Sequence, residues 1–246
     1  MHRFFVAAEI LSGTDVPLTG ETHHHLAVVL RLSVGDDILL LDGSGGLCIC
    51  RIAELQKHNG RATVLKRWRE TDTAFPIHLL QALPKGDKME LVLQKGTELG
   101  IHHFSPLLCQ RSVPKLSAER SEQRLRRWRR IVSEAARQSR RPRLPRIAAP
   151  RNMTEVLADC EEQLRLMLWE DGSRPLHDAL PDVAPASLAL LVGPEGGFSG
   201  EEARQAMDRG FHPVRLGPRI LRSETAGFAV TAILQYRYGD LGSARD

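Results

Sequence analysis

Two stretches of the chain set carboxylates and an arginine beside glycine-rich turns. In residues 188–202, five apolar residues run straight into Gly193, Pro194, Glu195, Gly196 and Gly197, and Ser199 then opens a helix with Glu201 and Glu202 in its first turn. In residues 214–236, a short strand-like run breaks at Gly217-Pro218, and Arg222, Ser223 and Glu224 lead into a second helix. Ser223 is the expected N-cap there, and Glu224 stands where the helix dipole favours a carboxylate. A carboxylate in such a turn can take a proton, and an arginine can offset a developing negative charge. The glycines let the main chain come close to a ligand. Plainer roles stay open: helix capping for Glu224, loop shaping for Glu195, and an ordinary strand-to-helix turn for each stretch.

Such turns need strands and helices to hold them. An apolar strand that ends in a glycine turn and a helix is the pattern of α/β proteins whose ligands lie outside the carboxyl ends of the strands. Neither G-x-G-x-x-G nor G-x-x-x-x-G-K-[ST] occurs, which argues against a dinucleotide fold and a P-loop. A Rossmann-type small-molecule enzyme is disfavoured on that ground.

Upstream, residues 77–83 read as an apolar strand, and Asp87 with Glu90 as the capping box of a helix running to Gly100. Residues 102–107 read as the next strand, and Lys85, Lys95 and Glu98 are left to face a site. Downstream come a helix at 154–162, a strand at 165–169, the strand at 188–192, a helix at 201–209, a strand at 213–216 and a final helix at 224–236. That last helix is apolar nearly all round, which suits burial in a domain or at a subunit interface. Alternating strands and helices predict a mostly parallel sheet.

Residues 1–72 differ. Strand-like runs at 3–8, 37–41, 47–55 and 61–67, a short helix at 22–32 and a hairpin turn at 42–46 predict a small barrel. The polar run 70–75, ending at Pro76, reads as a linker. The boundary is therefore set between 72 and 73, giving domains at 1–72 and 73–246.

At 246 residues and 42% hydrophobic, the chain can bury a core in one or two domains. No apolar run approaches the roughly 20 residues of a membrane helix, and the N-terminus lacks a signal-peptide pattern, so no membrane partner and a cytoplasmic location are the expectation. Cys48, Cys50, Cys109 and Cys160 form no C-x-x-C pair and are read as free thiols. His23, His24 and His25 are adjacent rather than helically spaced, so no metal site is assigned.

The net charge of +4 is unevenly spread. Residues 111–151 carry 14 Lys and Arg against 3 acidic residues, while residues 1–72 carry 8 against 9. Thirteen of the 14 are arginines, whose planar fork suits phosphate. A helix over 117–141 with Leu125, Trp128, Ile131, Val132 and Ala135 on its buried stripe leaves Arg126, Arg129 and Arg130 outward, as candidates for nucleic-acid contact. A solvated arginine face and a non-catalytic RNA-binding protein are the competing readings.

The pair GPEGGFS and LGPRILRSETA resembles the ribosomal RNA uridine-N3 methyltransferases of the SPOUT superfamily, and the likeness extends over nearly the whole chain. HHLAVVLRLSVGDDILLLDG resembles the entry to that family's PUA-like RNA-binding domain, KGDKMELVLQKGTELG its first methyltransferase motif, and QSRRPRLPRI a segment with Gln-Ser, two arginines and a proline. The resemblance implies an α/β fold: a small N-terminal PUA-like β-barrel plus a C-terminal methyltransferase domain with a trefoil knot. It implies S-adenosylmethionine held by Leu191, Gly193, Pro194, Glu195, Gly196, Gly197, Leu216, Gly217, Ile220, Leu221 and Arg222. It further implies a homodimer, with the active site near the partner chain, and 16S ribosomal RNA in the assembled small subunit as substrate. Arg222, Glu224 and Glu195 become the catalytic candidates, and Arg31, Gln138, Arg141 and Arg143 join the RNA-binding set. Family members often have glycine at the position of Arg140, so this chain departs from the pattern there.

Overall fold

The structure is a computed structural model that describes residues 1–112, 118–171 and 173–242. The chain forms two compact units, Met1–Asp72 with Ala136–Leu144, and Thr73–Ala135 with Pro145–Asp246.

The first unit is built on five strands, β1 (His2–Phe5), β2 (Asp15–Leu18), β3 (Asp37–Leu41), β4 (Gly46–Leu55) and β5 (Gly60–Arg69), in the order β1-β3-β4-β5-β2. β1 and β3 are parallel, and the other pairs are antiparallel. The β3–β4 turn is set by Asp42, whose carboxylate accepts from the Ser44 N–H at 2.6 Å and the Gly46 N–H at 2.8 Å. Phe4 from one edge strand and Val16 and Leu18 from the other share a core with Ile38, Leu40, Cys50 and Ile52. The sheet therefore curls on itself, which is the expected barrel. The sequence reading missed β2, because a four-residue run holding Pro17 carries little strand signal and belongs on a sheet edge. The helix expected over 22–32 begins earlier, as α1 (Gly20–His24), and ends in a π-helical turn, His25–Val29.

The second unit holds eight strands: β6 (Ile77–Ala82), β7 (His103–Leu108), β8 (Arg146–Ile147), β9 (Arg151–Asn152), β10 (Leu164–Leu168), β11 (Arg174–Pro175), β12 (Leu188–Val192) and β13 (His212–Arg215). They pair in the order β11-β13-β10-β12-β6-β7-β8, with β9 also on β7, and every pair is parallel. Its helices are α2 (Lys88–Glu98), α3 (Ala118–Gln138, whose last residues count with the first unit), α4 (Met153–Ala158), α5 (Leu176–Ala179), α6 (Gly200–Asp208) and α7 (Ser223–Tyr238). All five residues of β12 are buried, as a parallel strand covered on both faces requires. Leu188, Leu190 and Val192 pack with Val92, Trp128 and Val230 on one side, and Ala189 and Leu191 with Val156 and Ala203 on the other. Each buried leucine contributes about 1.5–3 kcal/mol.

Of three capping expectations, two turn out differently and one holds. Asp87 makes no side-chain cap, and Glu90 is held by Arg127, with both guanidinium contacts at 2.8 Å. A tertiary ion pair has displaced the local box. Ser223 is the first residue of α7 rather than its cap, which is Arg222. Ser199 does cap, and Glu202 completes a capping box, its Oε2 accepting from the Ser199 N–H at 2.8 Å. The start of the basic helix at Ser117 lies outside the described residues.

Candidate active site

β10 lies between β12 and β13, so three carboxyl ends open side by side. β12 leads into residues 193–199, β13 into 216–222, and β10 into Trp169, Glu170 and Asp171. Between them lies a cleft of about 860 Å³. Gly197 (φ +68°) and Gly217 (φ +66°) both sit in the left-handed region, one on each loop, where a side chain is strained.

The first loop is pinned at several points. The Gly197 N–H donates to the Pro194 carbonyl at 2.9 Å, and Arg111 Nη1 donates to the Gly196 carbonyl at 2.8 Å. Ser223 Oγ donates to the Gly193 carbonyl at 2.6 Å and accepts from Gln81 Nε2 at 2.8 Å. Ser223 thus ties β6, the first loop and the start of α7 together, which is why it is not free to cap.

A chain of charges runs along the rim. Glu195 Oε1 accepts from Lys88 Nζ at 3.1 Å and from the Lys85 N–H at 3.2 Å. Lys88 Nζ also lies 3.5 Å from Glu224 Oε1. Burial pushes the Glu195 carboxyl up, but hydrogen bonds from its own N–H, Lys88 and Lys85 outweigh that and hold it below its usual value. The hydrogen bond to Glu195 raises the Lys88 ammonium. Glu224 is buried, and among the described residues its Oε2 has no hydrogen-bond partner. Lys95 and Glu98, left over in the sequence, pair with each other at 2.8 Å.

Of the residues expected around the cofactor, Gly193, Pro194, Glu195, Gly196, Gly197, Leu216, Gly217, Ile220, Leu221 and Arg222 line this cleft. Leu191 does not: it is fully buried in the core, and its main chain lies between β10 and β6. Arg222 is exposed at the lip. The sequence reading missed Arg111, Trp169, Glu170 and Asp171 in the lining, and Lys88 on the rim. The strand-end rule applied to β10 would have found three of them.

In the RNA-binding set, Arg126, Arg129 and Arg130 are exposed on α3, Arg126 paired with Glu122 at 2.7 Å. Arg31, Gln138 and Arg143 are also exposed. Arg141 is a correction. The helix expected to reach 141 ends at Gln138, where a Schellman turn puts Arg140 at φ +62°, and Arg141 points inward to a 2.7 Å ion pair with Asp72, both side chains less than one-tenth exposed. It holds the first unit together and is not presented to RNA.

The three adjacent histidines diverge. His23 Nε2 lies 2.8 Å from the Gln56 carbonyl, His24 is exposed, and His25 packs edge-on against Phe4. A different cluster lies at the amino ends of β6 and β7. His78 Nδ1 is 2.6 Å from Glu162 Oε1, and its Nε2 is 2.8 Å from Ser105 Oγ. The His103 ring stacks on it at 3.9 Å, and Cys160 stands close by, its Sγ donating to the Val156 carbonyl at 3.4 Å. No local spacing announces this group, since its members come from separate elements.

The RNA methyltransferase domain family matches residues 71–235, and the RNA methyltransferase PUA domain family matches residues 18–65. The fold and cleft therefore belong to a two-domain RNA methyltransferase. The chain is 38% identical to the ribosomal RNA small subunit methyltransferase E of Synechocystis sp., covering 92% of this chain and 74% of that protein. It is 31% identical to the protein of the same name from Bacillus subtilis, covering 96% and 97%. The crystal structure of a ribosomal RNA small subunit methyltransferase E from Neisseria gonorrhoeae bound to S-adenosyl methionine superposes with a TM-score of 0.89 at 34% identity, covering 98% and 99%. The chain belongs to the ribosomal RNA small subunit methyltransferase E family.

Proposed function

We propose that this chain transfers a methyl group from S-adenosylmethionine to N3 of a uridine in 16S ribosomal RNA. The observation that carries the reading is the cleft between two glycine-proline loops, with Lys88, Glu195 and Glu224 along its rim. The residues fit the cofactor. At about 860 Å³ the cleft is of ligand size, and glycine, leucine and isoleucine line it beside the carboxylates of Glu170 and Asp171. Gly193, Gly196, Gly197, Leu216, Gly217, Ile220 and Leu221 would hold the adenosine, and the two carboxylates suit hydroxyl or ammonium groups. When bound, the cofactor supplies an electrophilic methyl group, and as the N3–CH₃ bond forms its S–CH₃ bond breaks and the N3 proton leaves.

The chain's own residues must then handle that proton and the charge on the base. Glu224 is the better acceptor, because it is buried and has an uncommitted oxygen. Glu195, held ionised by two donors, is the weaker base and serves to fix its loop to Lys88. Arg222, exposed at the cleft, is placed to meet the uracil as it becomes anionic.

Division of labour follows the sequence: residues 1–72 as the PUA-like RNA-binding domain, 73–246 as the SPOUT methyltransferase domain with its trefoil. Arg31, Arg126, Arg129, Arg130, Gln138 and Arg143 contact RNA. The exposed side of α7, with Ile233 and Tyr236, supports a homodimer. The substrate is the small ribosomal subunit in the cytoplasm, recognised by shape, since phosphate contacts position without specifying sequence. The test is calorimetry with S-adenosylmethionine, followed by methyl incorporation into intact small subunits, naked 16S RNA and a short hairpin. Micromolar cofactor binding and a rate far higher on subunits are expected. No cofactor binding would overturn the methyltransferase reading, and equal rates on all three RNAs would overturn recognition by shape.

A further inference from the structure

The first unit has a pocket of its own, of about 550 Å³. Its wall holds three arginines, Arg3, Arg137 and Arg140, with His25, Leu30 and Leu39 beside them, and its lining contains no acidic residue. All six belong to the same compact unit. We propose that this pocket seats one unpaired nucleotide of the RNA substrate, its phosphate among the three guanidinium groups and its base against Leu30 and Leu39. The proposal rests on the RNA-methylating reading above, and it extends the RNA contacts from Gln138, which also lines this pocket, to Arg3, Arg137 and Arg140.

Charge points to an anion. Arg3 is half-buried, and burial is the largest influence on it, lowering its guanidinium below the usual range. Arg140 pushes it further down, and Glu70 only partly offsets the two. A phosphate would relieve crowded, partly desolvated cations, and guanidinium is the group that binds phosphate with two parallel hydrogen bonds.

Backbone geometry points the same way. Arg3 Nη1 donates to the Arg140 carbonyl at 2.9 Å, and Arg137 Nη1 lies 3.1 Å from His25 Nδ1. These contacts fix the donors before any ligand arrives. Arg140 occupies the left-handed region at φ +62°, where glycine is the unstrained choice, yet its side chain lines the pocket. That turn is the Schellman cap of α3, the Arg141 N–H donating to the Ala136 carbonyl at 2.9 Å, and it delivers the Arg140 side chain to the pocket wall.

Size and lining distinguish a nucleotide from a bare anion. The volume exceeds what one phosphate fills and falls in the range of ligand pockets. Leu39 is buried in the core beneath it and Leu30 stands beside it, so the pocket offers apolar side chains to a base as well as guanidinium groups to a phosphate. Only an unpaired base can enter, as in most sequence-reading RNA domains.

The test measures binding of a short labelled single-stranded RNA to the full chain across a salt series. Arg140→Gly removes the side chain and also the backbone strain, and Arg3→Gln removes the charge while keeping a hydrogen-bond donor. Each should weaken RNA binding about tenfold and make the log–log salt slope shallower by about one. Arg140→Gly should melt no lower than the parent, and both should bind S-adenosylmethionine normally. Uridine monophosphate should displace the RNA better than inorganic phosphate. Unchanged RNA affinity in both variants, with the parent binding RNA, would overturn the pocket and leave the methyl-transfer reading intact. Equal displacement by the two competitors would overturn the seating of a base. A parent chain that binds neither RNA nor S-adenosylmethionine would overturn both readings.

Discussion

The two ends of the parallel sheet carry similar chemistry and put it to opposite uses. At the amino end, Ser105, His78 and Glu162 are bonded in the order of a nucleophile, base and orienting acid. At the carboxyl end, Glu195, Lys88 and Glu224 form a looser chain of charges. The tighter geometry is the less reactive one. Ser105 and His78 are buried in the sheet, and both His78 nitrogens are spent on neighbours. The Cys160 thiol is pushed up to about 12, first by burial and then by Glu162, so it stays protonated and is a poor nucleophile or ligand. The carboxyl end opens because each strand there leaves into a loop before its helix, and three such exits lie side by side. Bonding order alone does not make a site; open volume beside the groups does.

The sharpest way to break this contrast is at Gly197. With φ +68°, a β-branched side chain is strained there although space around it is open. Gly197→Val should therefore shift the loop and weaken S-adenosylmethionine binding by about tenfold to a hundredfold, with the fold retained. Calorimetry reads the affinity and circular dichroism the fold. Unchanged affinity in the folded variant would take the carboxyl-end loop out of the site.

A second substitution probes the other end. Ser105→Ala leaves His78 Nε2 buried without its 2.8 Å partner. The cost should be about 1–3 kcal/mol, seen as a drop of roughly 2–10 °C in melting temperature for a domain of this size. Cofactor affinity and methyl transfer per folded molecule should not move. A tenfold fall in turnover at unchanged affinity would mean that the amino end takes part in the chemistry.

The sequence made the carboxyl end far more legible than the amino end. Leu188–Val192 and the glycine loop after it are contiguous, so strand, turn and helix start could be read from one stretch. The same locality explains the errors. Ser223 has the right residue type for a cap, but Gln81 on β6 and the Gly193 carbonyl claim its hydroxyl from far along the chain. Asp87 and Glu90 have capping spacing, but Arg127 claims Glu90. Arg141 sits among exposed arginines, and composition cannot tell its buried pair with Asp72 from a surface charge. His78, Ser105 and Glu162 meet only because β6, β7 and the approach to β10 are brought together by the sheet.

The smallest expected effect separates the two ends by pH. The His103 imidazole is pushed down to about 4, mainly by burial and then by its neighbours His78 and Arg146. In the unfolded chain it titrates near 6.5. Between those values the unfolded chain takes up a proton that the folded chain refuses, so stability falls as pH drops from about 6.5 to 4 and this contribution levels off below. The carboxylates behave differently. Glu162 and Glu195 are both held below their usual value, so the stability they add is present above about 4.3 and is lost only as pH falls further. Over the upper part of that window, well above about 4.3, the amino end should give a slope to which the carboxyl-end Glu195 adds little. Because the His103 ring is only half-buried, solvent screening limits the effect to about 1 kcal/mol across the window. Urea melts of the parent and of His103→Gln at several pH values would measure it, and the variant should lose less stability than the parent on going from pH 6.5 to pH 4. Parallel curves would show that His103 titrates normally in the fold, and that the amino-end cluster is more open to water than its packing implies.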